Sequence, residues 1–160
     1  SFLNDSGAGL RHLYAFAESC PLLCGAPSLH EISLEGMHVL VLEDEILIAM
    51  DVEQLCREYG AAEVLLVHAL EEAGPEGPAR GGFDAAILDV ALAGRSTLGF
   101  AERLAGEGVP FVFATGHADA DGLFDAFPDV AVIGKPYGGR ALIEALARAI
   151  ARSAALSGGV

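Results

Sequence analysis

The sequence predicts an α/β fold, a doubly wound five-stranded parallel sheet with helices on both faces, preceded by an N-terminal extension. Two observations predict it. From residue 37 onward, five short apolar runs (MHVLVLE, AEVLLV, FDAAILD, FVFAT and VAVIG) alternate with segments whose apolar residues recur at helical spacing. The runs are also nearly continuous in apolar residues, as strands covered on both faces must be, and strand-helix alternation leads to parallel pairing with right-handed crossovers.

The elements follow in order. Residues 1–36 have a different texture: a helix is expected from Ala8 to Ser19, with Leu10, Leu13, Tyr14 and Phe16 apolar, before the stretch CPLLCGAPS. These apolar side chains read as packing, and the extension has no assigned role. The sheet domain is expected over 37–153 and a tail over 154–160. Its first helix, Ile46 to Tyr59, gathers Ile48, Val52, Leu55, Cys56 and Tyr59 on one stripe, and Gly60 stops it. Between Ala69 and Gly82, the pairs Gly74-Pro75 and Gly77-Pro78 leave room only for a short helix and a loop. ALAGRSTLG, after Asp89, reads as a flexible loop whose Ser96-Thr97 pair caps the third helix. The last helix, Gly139 to Arg152, turns Leu142, Ile143, Leu146, Ala149 and Ile150 inward and Arg140, Glu144, Arg148 and Arg152 to water.

Composition excludes several functions. At 160 residues with a formal net charge of -14, the chain lacks the Lys and Arg that a phosphate-backbone partner requires, so no direct nucleic-acid contact is expected. A cation or a basic protein surface suits that field better. No apolar run approaches the ~18 residues of a membrane span, and no basic start leads into an apolar run as in a secretory signal, so the expected place is the cytoplasm. Cys20, Cys24 and Cys56 match no zinc or disulfide framework and read as buried free thiols.

The chemistry gathers at the predicted strand ends. Glu43 and Asp44 end the first strand, Asp89 the third, Thr115 the fourth, and Lys135, the only lysine, follows the fifth. Ligand sites in such sheets lie beyond the carboxyl ends of the strands, so these residues can share one cleft. Three carboxylates a few ångströms apart repel one another unless a hard cation or raised pKa values relieve the charge, and an oxygen-rich acidic cluster suits Mg²⁺ or Mn²⁺. Lys135 and the Thr115 hydroxyl suit the oxygens of a phosphoryl group. Each acid alone would read as a helix cap or a solvated loop residue, and Lys135 alone as a surface side chain. The combination at four strand ends is far more specific.

VLVLEDE, FDAAILDV, FVFATG and IGKPY resemble the acidic pair, phosphoacceptor, threonine and lysine-proline segments of response-regulator receiver domains, a CheY-like family, over residues 37 to 153. FVFATG followed by KPY is also similar to the FAT-GUY subgroup of single-domain receivers. The resemblance implies that Asp89 accepts a phosphoryl group from a histidine kinase or phosphotransfer protein. It implies Mg²⁺ ligation by Asp44, Asp89 and the Ala91 carbonyl, with Glu43 acting through a water, and oxygen binding by Thr115 and Lys135. It further implies a cis Lys135-Pro136 bond, a downstream protein partner, and room for a homodimer.

His117, two positions after Thr115, stands where the family tunes hydrolysis. The family's switch aromatic is replaced by Val132. Tyr137 is the alternative ring, and its expected role is packing with its hydroxyl near solvent. Enzyme activity beyond gaining and losing a phosphoryl group at Asp89 is not expected. A metal-dependent phosphohydrolase is the competing class, but its second acid is replaced by Ala91; a phosphorylation-independent binding module is the third.

Overall fold

In the computed structural model, residues 32–73, 82–116 and 121–158 are described. The expected helix from Ala8 to Ser19, Cys20, Cys24, the Gly-Pro pairs at 74–75 and 77–78, and His117 lie outside them. The elements run β1 (His38–Leu42), α1 (Ile46–Glu58), β2 (Glu63–Val67), a 3-10 turn (Leu70–Ala73), β3 (Ala85–Leu88), the short strands β4 (Ala91–Leu92) and β5 (Arg95–Ser96), α2 (Leu98–Glu107), β6 (Phe111–Thr115), α3 (Asp121–Ala126), β7 (Val132–Gly134) and α4 (Gly139–Ser157). Five strands form one parallel sheet in the order β2-β1-β3-β6-β7. The fold is the expected flavodoxin/CheY-like α/β architecture. Strand order reverses between β1 and β3, and the crevice outside their carboxyl ends is where such sheets hold ligands.

Alternation along the strands splits the core in two. Val39, Val41, Ala85, Ile87, Val112 and Ala114 face α1 and α4, meeting Val52, Cys56, Leu142, Ile143 and Leu146. Leu40, Leu42, Ala86, Leu88, Phe111 and Phe113 face the other way, against Phe100, Ala101 and Leu104 of α2 and Phe127 after α3. The rings of Phe111, Phe113 and Phe127 meet edge to face, with centroids 5.5 to 5.8 Å apart, the arrangement that suits aromatic quadrupoles. Cys56 is a buried free thiol, and burial pushes it up to about 12.

The segment before β1 belongs to the same core. Leu34 is fully buried, and its N–H donates to the Tyr59 carbonyl at 2.7 Å. Gly60 allows this approach, because its φ of +99° suits glycine and a Cβ there would lie 3.1 Å from the Glu35 Cα.

Three expectations need correction. ALAGRSTLG is a hairpin rather than a flexible loop: β4 and β5 pair antiparallel, Ala91 with Ser96 and Leu92 with Arg95, and Leu92 is fully buried. Its turn residues Ala93 and Gly94 take φ of 50° and 77°, both left-handed, as a two-residue type I′ turn requires. Of the Ser96-Thr97 pair, Ser96 Oγ accepts the Leu98 N–H at 3.3 Å at the start of α2, whereas Thr97, at the N-cap, makes no capping bond with its side chain. Its buried hydroxyl faces the sheet instead and donates to the carbonyls of Asp89 (2.5 Å) and Val90 (3.1 Å). Finally, α4 runs to Ser157 rather than Arg152, because nothing in SAALS breaks a helix before Gly158.

Leu34→Ala is expected to cost about 2 to 5 kcal/mol in urea unfolding, the range for a buried leucine. Leu65→Ala, at a side chain 46% exposed on β2, should stay within about 0.5 kcal/mol of the parent.

Candidate functional site

The ends of four strands meet in one cleft because the parallel register sets them level. Leu42 pairs with Leu88, and Thr115 with Gly134, so Glu43, Asp44, Asp89, Thr115 and Lys135 lie at one sheet edge. One oxygen each from Glu43, Asp44 and Asp89 falls within 4.8 Å of the others. Glu43 and Asp89 are buried, at 3% and 9% exposure, while Asp44 is exposed. The Lys135 Nζ donates to Glu43 Oε2 at 2.5 Å and to Asp89 Oδ2 at 2.8 Å. Thr115 is buried, and its carbonyl accepts the Lys135 backbone N–H at 2.7 Å. The Lys135-Pro136 peptide is cis, as expected.

The remaining carboxylate oxygens hold the surrounding backbone. Glu43 Oε1 accepts the Glu45 N–H at 3.0 Å, Asp89 Oδ1 the Ala91 N–H at 3.3 Å, and Asp44 Oδ2 the Ala93 N–H at 3.1 Å. The last bond secures an alanine in a left-handed turn position that ordinarily costs a non-glycine residue about 1 kcal/mol. Ala91 occupies a rung with a defined orientation. The Thr97 N–H donates to the Val90 carbonyl at 3.0 Å, so Val90 and Thr97 form a hydrogen-bonded rung and the neighbouring Ala91-Ser96 rung is the non-bonded one. The Ala91 carbonyl is thereby turned out of the ladder.

Three carboxylates against one ammonium leave an excess of two negative charges in a half-buried cleft. That donor set, all oxygen and anionic, fits a hard divalent cation such as Mg²⁺. Burial raises the Glu43 carboxyl above its usual range, against the opposing pull of the Lys135 ammonium and the Glu45 N–H. For Lys135, burial pulls downward, but the hydrogen bonds and charges of Asp89 and Glu43 outweigh it and leave the ammonium above its usual value.

Tyr137 requires a correction. The ring packs against the α1/α4 core as expected, but its hydroxyl is buried, with no hydrogen-bond partner among the described residues, and burial pushes it up to about 12. Val132, where the receiver family carries an aromatic, packs against the α2 side of the core. Two residues that the motifs did not single out for this site tie down its backbone. Thr97 holds the Asp89 carbonyl, and the His68 Nδ1 lies 2.9 Å from the Glu43 carbonyl oxygen. Their only sequence signal is position, one just past β2 and the other just before α2.

The raised Lys135 value means that its ion pairs stabilise the fold at neutral pH and are lost only as pH rises through that value. The raised Glu43 value acts with the same sign: burial makes its ionisation costlier in the folded protein than in the unfolded chain, so its contribution to stability also falls as pH rises. Lys135→Met, which removes the shared cation, is expected to destabilise the chelator-treated protein by about 3 to 5 kcal/mol at neutral pH. Part of that loss should return on acidification as the buried Glu43 carboxyl takes up a proton, measured by urea unfolding across the acidic range.

No protein-family model matches the chain, and no curated protein does. Solved structures do. The chain is similar to SdrG from Sphingomonas melonis Fr1, at 37% identity and a TM-score of 0.62, covering 72% of this chain and 97% of that one. It is similar to the receiver (REC) domain of the PhyR response regulator from Erythrobacter litoralis, at 25% identity and a TM-score of 0.60, covering 73% and 92%. A response regulator receiver protein from Sinorhizobium medicae WSM419, at 22% identity, shares the fold with a TM-score of 0.66 over 76% of this chain and 99% of that one. With the reversed strand order and the acidic cleft at its switch point, these likenesses identify the chain as a member of the response-regulator receiver domain family.

Proposed function

We propose that the domain is a phosphoacceptor switch of a two-component or phosphorelay system, with Asp89 as the residue phosphorylated. The observation that carries the reading is the buried Asp89 carboxylate, bonded to Lys135 and within 4.8 Å of the acidic pair. One Asp89 oxygen attacks the phosphorus of a phosphohistidine. An O–P bond forms, the P–N bond breaks, and the imidazole leaves as the neutral ring after taking a proton. Asp44, Asp89 and the Ala91 carbonyl would hold Mg²⁺ or Mn²⁺, with Glu43 acting through a water. Bound there, the cation would offset charge on the transferring group and orient it for in-line displacement.

Lys135, now shared between two carboxylates, gains a more highly charged partner in the acyl phosphate, and the Thr115 hydroxyl donates to another of its oxygens. Those new bonds bias the segment that follows Thr115, which is how the modification is transmitted to a downstream protein partner. Val132 cannot signal by ring rotation, so the response runs through the backbone after β6. The FVFATG and KPY segments favour the FAT-GUY single-domain subgroup.

A phosphodonor approaching the cleft meets Ile46, Leu47 and Met50, at 64%, 78% and 56% exposure, on the first turns of α1. This patch suits the apolar surface of a histidine kinase or phosphotransfer protein in the cytoplasm, with the acidic rim matched by basic residues. No helix among the described residues is long and apolar enough to cross a membrane.

Intact-mass spectrometry after incubation with acetyl phosphate tests the reading. One phosphoryl adduct is expected on the wild type with Mg²⁺, and none on Asp89→Asn or with chelator. Multiple turnover on phosphate monoesters would instead select the phosphohydrolase reading, and no adduct under any condition a phosphorylation-independent binding module. His117→Ala is expected to change the lifetime of phospho-Asp89, followed by the decay of the same adduct.

A further inference from the structure

We infer that His68 is a positioning residue for the acidic pair: its ring, bonded to the Glu43 carbonyl, holds the peptide that joins Glu43 to Asp44 and so sets the affinity of the cleft for a divalent cation. The inference rests on the reading above that these carboxylates hold such a cation.

The need for His68 follows from where the sheet stops. The last paired residues of β1 and β2 are Leu42 and Val67, and the Glu43 N–H still reaches the Val67 carbonyl at 3.0 Å. One atom group further on, the Glu43 carbonyl lies past the final rung and has no strand to supply a donor. Glu43 is 3% exposed, and a buried carbonyl left unbonded costs about 1 to 3 kcal/mol. The His68 Nδ1, 2.9 Å away, supplies the donor. A carbonyl oxygen only accepts, so Nδ1 must carry the proton, and the tautomer is assigned by its partner. His68 is itself anchored: its backbone N–H donates to Glu72 Oε2, at 3.1 Å, on the adjoining 3-10 turn.

The held carbonyl belongs to the peptide plane that leads directly into Asp44, so fixing it restrains the direction in which the Asp44 side chain leaves the strand. Asp44 is exposed, and among the described residues its carboxylate is tied only on the hairpin side, to the Ala93 N–H. Glu43 needs the restraint less, because Lys135 and the Glu45 N–H already hold its two oxygens. His68 thus bears chiefly on Asp44, without touching any of the three carboxylate groups. Removing a partner that orients a ligand without touching the metal typically lowers metal affinity 10- to 100-fold.

Calorimetric titration of the full chain with Mn²⁺ and Mg²⁺ tests this. His68→Ala is expected to bind Mn²⁺ about tenfold more weakly than the wild type. His68→Asn, whose amide places an N–H near the position of Nδ1, should recover most of that loss. His38→Ala, at the opposite end of β1, should leave the affinity unchanged. A purely structural role would lower the melting temperature without this pattern in the affinity of the folded protein. Wild-type affinity in His68→Ala, or equal weakening in His68→Ala and His68→Asn, would overturn the inference. Absence of Mn²⁺ binding by the wild type would overturn the cation reading and this inference with it. Long-range ¹H–¹⁵N spectra of the wild type give a second, metal-free readout. A protonated Nδ1 on His68 is expected, and an imidazole protonated only on Nε2 would end the proposal even if His68→Ala failed to fold.

Discussion

One ammonium group between two buried carboxylates holds the carboxyl edge of the sheet together. Lys135 enters from the end of β7, Glu43 from β1 and Asp89 from β3, so a single side chain joins three of the five strands where their ladders end. Its Nζ shares the attraction between both acids, and neither acid is left alone in a poorly hydrated place. The chain carries one lysine in all, and an arginine fork of fixed planar geometry could not substitute for a compact point charge reaching two carboxylates from one direction. Asp44 stays outside this arrangement, in water, and supplies the uncompensated charge that makes the cleft attractive to a cation.

The backbone around the cleft obeys a second constraint. Where strands end, carbonyls emerge with no neighbour to donate to them, yet the site needs those carbonyls held because its acids sit on the adjoining residues. Side chains supply the missing donors: the Thr97 hydroxyl for Asp89 and the His68 ring for Glu43. Each extends the sheet by one bond beyond its last rung. The acids are therefore positioned from behind, through the main chain, while their oxygens remain turned toward Lys135 and one another.

Much of this was legible in the sequence, for physical reasons that differ from residue to residue. The apolar runs announced the five strands, and the rule that parallel sheets bind at their carboxyl ends put Glu43, Asp44, Asp89, Thr115 and Lys135 in one place. The hairpin of β4 and β5 was not legible. Its type I′ turn is built on Ala93-Gly94 rather than the Asn-Gly or Asp-Gly pairs that signal such turns, and two-residue strands are too short to show alternation. Thr97 read as a helix cap because threonine before a helix usually is one, whereas the competition was won by a nearer strand-end carbonyl. His68 left no trace, since its partner is backbone and every residue has a carbonyl. The buried Tyr137 hydroxyl depends on how closely α1 and α4 approach, which no local pattern encodes.

The bond from Asp44 to the Ala93 amide has a thermodynamic corollary. A left-handed alanine is a loaded conformation, and the carboxylate that secures it is also the most exposed acid of the cleft. Any cation that draws electron density or orientation from Asp44 competes with the hairpin for the same group. By reciprocity, whatever free energy a bound cation takes from this hydrogen bond must appear, with the same magnitude, in the cation's affinity. The hairpin tip, secured by its hydrogen bond to Asp44, would in that sense serve as an indicator needle for the occupancy of the cleft.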